Sequence, residues 1–578
     1  MSASRTAALA PAQDTIPPDP RNPSDGRVFL LDVPFHQQKT AQQAGAQHDE
    51  NLRCWAWRGS ILPQSLVPFR PPPLSYERYR EDDINGARWA PGIPRENIVL
   101  REHQADGVSA ILAARRAGRC GMLLADDVGL GKTYTAWKAV AAMPGIQTVL
   151  VVCPLAVTAH WRRSILALGD HGKRVIVLNY DRLSRLFELP TVADQQPQQK
   201  KDGAKNRTKK PVVARKPTLK GISRTGRPMR FDAIIWDEAH RLKNPSSARS
   251  RLAARLTAGA SFNLWLTATA GCSPLDLAYL GRLLAQVTGD KVSDLKDFES
   301  WCRDKKLGVR RGAYGQWIWE GGEREIATVN HLLFGGRLPA GLRRRPEDIA
   351  GWPEIQRIPA PMELHPDAFD LYEEAWQEFR RVLLLDPKGS DGPNALVARL
   401  RFRQKASLLR VPATAELVRD LREAGRRVAV SVQFIETLEA LRSSLEQDGL
   451  RCVCLHGDMS PEAREDSRIA FQKDQADVCL LTITEGISLH QDADNRDGRA
   501  MVIHDIRYSA LEMAQIEGRT HRDGRHAPAY WSLAIGTVEE RVAEIVTGKM
   551  SAMKGMIGDD RETLRAVEAA LTEAALAA

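Results

Sequence analysis

The octapeptide Asp126-Asp127-Val128-Gly129-Leu130-Gly131-Lys132-Thr133 sets an ammonium and a hydroxyl behind two glycines, side chains suited to a phosphate chain. Glycines let backbone N–H groups turn inward around phosphate oxygens at the positive end of a helix. The loop residues Asp126, Gly129, Leu130 and Gly131 are therefore assigned to a nucleotide, with Asp126 standing where the usual pattern has its first glycine. Lys132 reaches the β- and γ-phosphates, and the Thr133 hydroxyl ligates Mg²⁺. A second set follows at Asp237-Glu238-Ala239-His240. Asp237 holds the Mg²⁺ shell, Glu238 orients or deprotonates the attacking water, and His240 relays the nucleotide state. Read alone, that tetrad also suits a helix cap. A third set is Arg519 and Arg522, three apart on a predicted helix, which present two guanidinium groups from one face to a transferring γ-phosphoryl group. An isolated Arg-x-x-Arg is ordinarily a surface ion-pairing feature.

These residues need particular supports. The apolar run Gly121–Ala125 before the loop reads as a buried strand, and Tyr134–Val140 after it as the start of a helix. The run Phe231–Trp236 is a strand that delivers Asp237 and Glu238 at its carboxyl end, where α/β sheets place their ligands. Further strands are expected at Val428–Val432, Val478–Leu481 and Met501–Ile503, and a hairpin around Gly312–Gly315. Leu564, Val567, Leu571 and Ala574 recur at helical spacing, so 561–577 is an amphipathic helix docked on the second α/β region.

At 578 residues, 43% hydrophobic and 27% charged, the chain has the composition of an ordinary soluble globular protein. Its longest apolar run, near Val149–Val157, is too short to span a bilayer, so no membrane partner is expected. Eight scattered cysteines suit reduced thiols and a cytoplasmic location, nucleoid-associated if the source is bacterial or phage-encoded. The net charge of +10 is local: Lys200 to Arg230 carries twelve basic residues, Lys209 and Lys210 among them, against the single acid Asp202. Such a segment attracts polyanions through counterion release, or is a solvated loop without a partner. Trp55, Trp57 and Trp89 are read as packed residues, with stacking on a base or a protein partner as the other reading.

Taken in order, these motifs resemble the Snf2 family, within the superfamily 2 DEAH-type helicase-like ATPases. Leu100–Val108 is similar to the segment before the phosphate loop, whose Gln, here Gln104, contacts adenine. Val151–Leu155 followed by Trp161 resembles motif Ia, which gives Pro154 and Trp161 to the nucleic acid. Asp237–Asn244 matches the extended motif II, which adds Lys243 and Asn244. Leu266–Thr269 resembles motif III, with Thr267 and Thr269 coupling the nucleotide to the nucleic acid. Leu342–Ile349 is similar to the Leu-Arg-Arg segment where the chain crosses into its second lobe. His456, Gly457 and Thr484 fall in second-lobe motifs, and Gln515 in motif VI beside Arg519 and Arg522. Thr484 stands in a motif V with one glycine, Gly486, where the family has a glycine-rich turn. Trp301–Gly322 resembles the compact HARP-type (annealing helicase) branch.

The resemblance implies an α/β fold of two tandem RecA-like lobes, parallel sheets flanked by helices, with a small N-terminal accessory region. The expected division is 1–25 disordered, 26–95 accessory, 96–300 lobe 1 with a basic insertion at 195–230, 301–395 connecting region, 396–548 lobe 2 and 549–578 helical extension. The expected activity is an ATP-dependent double-stranded DNA translocase or remodeller that uses ATP and Mg²⁺, with a protein partner open to residues 26–95. A strand-separating DNA or RNA helicase shares the same engine. So does a non-translocating ATP-dependent subunit of a repair, transcription or anti-phage complex.

Overall fold

Strands made of apolar residues on both faces belong in the middle of covered parallel sheets. Thr148–Cys153, Ala233–Asp237 and Phe262–Leu266 are buried at every position. In the computed structural model they lie side by side in a six-stranded sheet. Its spatial order is 341–342, 121–124, 262–266, 233–237, 148–153, 174–179, and every pairing is parallel. Parallel neighbours need crossovers, and the helices Lys132–Ala141 and Thr158–Leu168 provide two of them. Trp137, Trp161 and Ile165 of those helices pack onto Val149, Val151, Ile235 and Leu264. The structure describes residues 27–31, 33, 37–49, 54–59, 61–70, 99–188, 218–219, 231–271, 273–290, 295–312, 315–385, 393–483, 487–491, 495–521, 525–552, 566–567 and 569–574.

A second six-stranded parallel sheet has the order 357–362, 529–534, 498–503, 426–431, 478–481, 452–455. Alternation along its strands divides two cores. Ala429, Cys479, Met501 and Ile503 face the helices Pro366–Leu385, Pro393–Leu409 and Val538–Ala552. Val428, Val430, Leu480 and Val502 face the helices Val411–Glu423 and Ile435–Gln447. Val567 and Leu571 join the first of these cores, so the described part of the C-terminal helix docks on the second lobe as its spacing predicts. The expected hairpin is also present, Val309–Arg311 pairing antiparallel with Trp317–Trp319.

The connecting region expected at 301–395 does not exist as a separate block. The helix Glu323–Phe334 packs on Gly281–Thr288 and on the edge strand Gly341–Leu342, which belongs to the first sheet. Arg357–Met362 is the edge of the second sheet, and Pro366–Leu385 covers its face. Only the stretch between 342 and 357 links the lobes. A two-residue edge strand carries too little pattern to be read from sequence, which is why the boundary was displaced.

Residues 1–75 and 181–229 form a separate unit. Within it, Arg27–Leu31, Cys54–Gly59 and Gln47–Asp49 make an antiparallel sheet with 54–59 in the middle. Trp55 and Trp57 pack against a core of Leu31, Ala41, Ala46, Leu66 and Phe69. The Trp57 indole N–H donates to the Ile61 carbonyl at 3.1 Å. Packing therefore accounts for these two tryptophans. Trp89, residues 1–25 and, apart from 218–219, the basic insertion with Lys209 and Lys210 lie outside the described residues. No helix among the described residues is long and apolar enough to cross a membrane.

Candidate nucleotide site

The strand Gly121–Leu124 carries the chain into the loop, and Gly131 caps the helix Lys132–Ala141. Gly129 and Gly131 adopt φ +89° and +79°, a region that glycine enters without penalty. A Cβ at Gly131 would also displace the Gln104 carboxamide, so a larger residue there is strained in backbone and costs the brace. Lys132 lies beneath the loop, its Nζ donating to the carbonyls of Asp126 at 2.6 Å and Asp127 at 3.1 Å. Burial lowers its pKa, opposed by the carboxylates of Glu238, Asp126, Asp127 and Asp237. An ammonium held this way gains from every phosphate oxygen that approaches it. The Leu130 carbonyl accepts from Gln104 Nε2 at 3.2 Å and from His103 Nε2 at 3.0 Å. Gln104 Oε1 accepts from the Arg101 N–H at 3.1 Å, so the carboxamide expected at adenine braces the loop here.

Asp126 has a different task from the one its place in the pattern suggests. It is fully buried, and its carboxylate accepts from the Arg344 N–H and Nε, both at 3.0 Å, and from Nη2. The Ala125 N–H donates to the Leu342 carbonyl at 2.7 Å, and the Asp127 N–H to the Arg344 carbonyl at 2.9 Å. Residues 341–344 thus run beside 123–127 as a strand edge. Asp126 fastens the interlobe linker to the loop by its side chain, and its hydrogen bond with Lys132 runs through its carbonyl.

Asp237 ends its strand with both oxygens engaged. Oδ2 accepts from the Trp161 indole at 2.7 Å, and Oδ1 from the Glu238 N–H at 3.1 Å. Tyr180 Oη donates to the Asp237 carbonyl at 2.8 Å and stacks on Trp236. Burial and the neighbouring Glu238 charge push the Asp237 carboxyl up. Trp161 is fully buried, so it orients this carboxylate and is not a nucleic-acid contact. Glu238 sits at φ +51°, a conformation that costs a non-glycine residue energy and clusters at working sites. Burial would raise its carboxyl, but the His240 hydrogen bond and the charges of His240, Lys132 and Arg519 outweigh it and hold it ionised.

His240 joins two motifs. Its Nδ1 lies 3.3 Å from Glu238 Oε2 and 3.0 Å from Thr267 Oγ1. Thr267 Oγ1 donates to the Thr269 carbonyl at 2.7 Å and accepts from the Thr269 N–H at 3.2 Å. With the hydroxyl proton committed, His240 must carry its proton on Nδ1. Thr267 is fully buried, so its place is in this relay and not on a nucleic acid.

The second lobe supplies the opposite wall. Gln515 and Arg519 line one cleft with Gly129, Lys132, Thr133, Asp237 and Glu238, and Val157, His160 and Ser488 complete it. Arg519 is not on a helix: Ala510–Glu517 ends before Gly518, and Arg519 lies in the following turn. A Cβ at Gly518 would come 2.7 Å from Val128 Cγ1, so the two lobes meet here over a bare backbone. Arg519 Nη1 donates to the Ile487 carbonyl at 3.0 Å. Arg522 and Thr484 lie outside the described residues. The turn is tied to the linker, His521 Nε2 donating to the Pro353 carbonyl at 2.8 Å. Beside it, buried Glu517 accepts from Arg357 Nε at 2.9 Å and the Trp531 indole at 2.9 Å. Away from the linker, Arg163 pairs with Glu465 across the lobes.

Sequence reasoning missed Tyr180, Arg344, Arg357, Glu517 and His521, whose partners are remote in the chain. Among the remaining nucleic-acid candidates, Pro154 is buried at the start of the turn Leu155–Val157. Asn244 is exposed with Oδ1 accepting from the Ser246 N–H at 3.0 Å. Lys243, Thr269 and His456 are half-buried, and Gly457 is exposed.

The SNF2-related domain family matches residues 103–333, and the helicase conserved C-terminal domain family matches 411–524, together more than half of the chain. The chain is 24% identical over 467 residues to the SWI/SNF-related matrix-associated actin-dependent regulator of chromatin subfamily A-like protein 1 of Bos taurus. It is 22% identical over 519 residues to the DNA repair and recombination protein RAD54B of Mus musculus. Each match covers 77% of this chain but only 45% and 54% of the relative, so the chain spans about half the length of these proteins. The SWI2/SNF2 ATPase core of Sulfolobus solfataricus in complex with dsDNA aligns over 81% of this chain and 97% of that one, at 18% identity and a TM-score of 0.32. On the two family matches and the cleft they enclose, the chain belongs to the Snf2 family of helicase-like ATPases.

Proposed function

We propose that the chain hydrolyses ATP between its lobes and uses closure and release of the cleft to move along double-stranded DNA. One observation carries the reading: Lys132, Thr133, Asp237 and Glu238 from the first lobe share a cleft with Gln515 and Arg519 from the second. Lys132 would neutralise the β- and γ-phosphates. Glu238, kept ionised by His240, would orient or deprotonate the attacking water. Arg519, with Arg522, would offset the charge that spreads over the transferring phosphoryl group. The oxygen donors of Thr133 and Asp237 suit Mg²⁺, and the buried Asp237 carboxylate lacks a cationic neighbour at hydrogen-bonding distance. When bound, the ion would withdraw charge from the phosphate oxygens.

DNA as the track rests on the names of the relatives, a regulator of chromatin and a DNA repair and recombination protein. Lys243, Asn244, Thr269, His456, Gly457 and Thr484 are the proposed backbone contacts, with Lys209 and Lys210 adding attraction from the basic insertion. Contacts to phosphates carry no base information, so binding should be sequence-independent and weakened by salt. Trp301–Gly322 supports a place near the compact annealing-helicase branch, and residues 26–95 are offered as a surface for a protein partner. The test is ATP turnover with no nucleic acid, duplex DNA, single strands and RNA, beside displacement of a triplex-forming strand. Stimulation by duplex with triplex displacement supports the translocase. Stimulation by single strands or RNA alone would replace it with a strand-separating helicase, and no stimulation with a non-translocating subunit.

A further inference from the structure

The antiparallel helices Pro366–Leu385 and Pro393–Leu409 carry half of the exposed large apolar side chains among the described residues: Leu371, Leu384, Leu385, Leu396, Val397 and Leu400. Scattered singly, such residues need no explanation, but a cluster on one element does. Two of them, Leu385 and Val397, line a groove of about 460 Å³ whose floor is Ala375, Phe379 and Phe402 and whose apolar wall also includes Val382. Leu385 is 75% exposed and Val397 50%. The floor residues stand on the second-lobe core, so the groove is rigidly backed. Residues 375, 379 and 382 on one helix and 394, 398, 401 and 405 on the other recur at helical spacing, which makes the groove run along the helix axes.

The charges of the lining choose the occupant. Arg401 and Lys405 stand on one wall, one helical turn apart, against Glu378, the single acid among the described lining residues. Neither Arg401 nor Lys405 forms an ion pair among the described residues. A second copy of the groove would set these cations against one another, and a nucleic acid has no use for an apolar floor. We propose that this groove docks an amphipathic helix of a partner protein, with apolar residues at i, i+3, i+4 and i+7 on one face and carboxylates along its flank. It lies apart from the nucleotide cleft, and none of its lining residues takes part in that cleft.

Two synthetic peptides of about 18 residues probe it, one with leucines at the helical stripe and glutamates elsewhere, its twin with lysines replacing the glutamates. Fluorescence anisotropy on the full chain should show the acidic peptide binding at least about tenfold tighter than its twin, with affinity falling as salt rises. Val397→Asp should abolish that binding. Arg401→Glu with Lys405→Glu should reverse the preference between the twins. These positions are at the surface, and an unchanged melting temperature certifies each variant. Equal binding of both peptides, binding of neither, or binding that survives Val397→Asp overturns the proposal. So does a concentration-dependent dimer that Val397→Asp dissolves, since it would give the groove to a second copy of the chain.

Discussion

Lys132, Asp237 and Glu238 are held by groups of their own lobe: two loop carbonyls, the Trp161 indole and His240. Arg519 donates to the Ile487 carbonyl of its own lobe, and the turn that carries it is tied through His521 to Pro353 of the linker. Beside that turn Glu517 grips Arg357, and thirteen residues upstream the same linker is fastened to the phosphate loop through Arg344 and Asp126. The hydrogen bonds that aim the first wall therefore come from its own lobe, whereas the second wall is also placed through the linker. The difference separates holding a nucleotide from turning it over.

Arg519→Ala tests the separation most severely. Turnover should fall by about 10³-fold or more while the KM for ATP moves little, as when a transition-state cation is removed. A matching rise in KM would show that both walls hold the ground state alike. Glu238→Gln should cost about 10²–10⁴ in turnover, with a fluorescent ATP analogue bound as tightly as before. Near-normal hydrolysis would remove Glu238 from the chemistry. Arg344→Ala leaves Asp126 buried without its partner and should lower the free energy of urea unfolding by about 3–5 kcal/mol. Unchanged stability would mean that the linker is not anchored at the loop, and the contrast between the walls would dissolve.

The smallest effect is in pH. Burial holds the His504 imidazole down at about 4 beneath the second sheet, against an unfolded value near 6.5. A depressed histidine contributes fully above the unfolded value and loses its contribution as pH falls toward the folded one. Stability should therefore decline by up to about 3 kcal/mol between pH 6.5 and 4, and His504→Gln should flatten most of that slope. His103 and His521 are shifted the same way and add to the decline, while the raised carboxyls of Asp237, Asp127 and Glu539 act in the opposite sense. A slope untouched by the substitution would place the sensitivity in the nucleotide site instead.

The first wall was legible because its chemistry is contiguous. A strand, two glycines and Lys132-Thr133 specify one another within a dozen residues, and Asp237-Glu238 follow directly from a buried strand. The second wall was legible in residue type but not in placement, because Gly518 ends the helix one residue before Arg519. Individual strands followed from apolar runs and the two lobes with their parallel sheets from the Snf2 resemblance, whereas the chain crosses between lobes at a two-residue strand and a linker that carry no such pattern. Trp161 and Asp126 failed for another reason. A motif position tells which neighbours a residue has along the chain, not which way its side chain points. Trp161 faces inward onto Asp237, and Asp126 meets an arginine 218 residues away.

The bare backbone at Gly518 has a mechanical meaning. The two lobes meet here without padding, with Val128 Cγ1 resting where a methyl group would otherwise intrude. The spacing of the lobes at this contact is thus set by a missing atom. On the closure proposed above, a residue larger than glycine should act as a shim unless the Val128 side chain turns aside, leaving Arg519 short of its mark. Reactions that depend on alignment lose rate steeply over such distances, so a position that touches no substrate fixes the gauge of the whole engine.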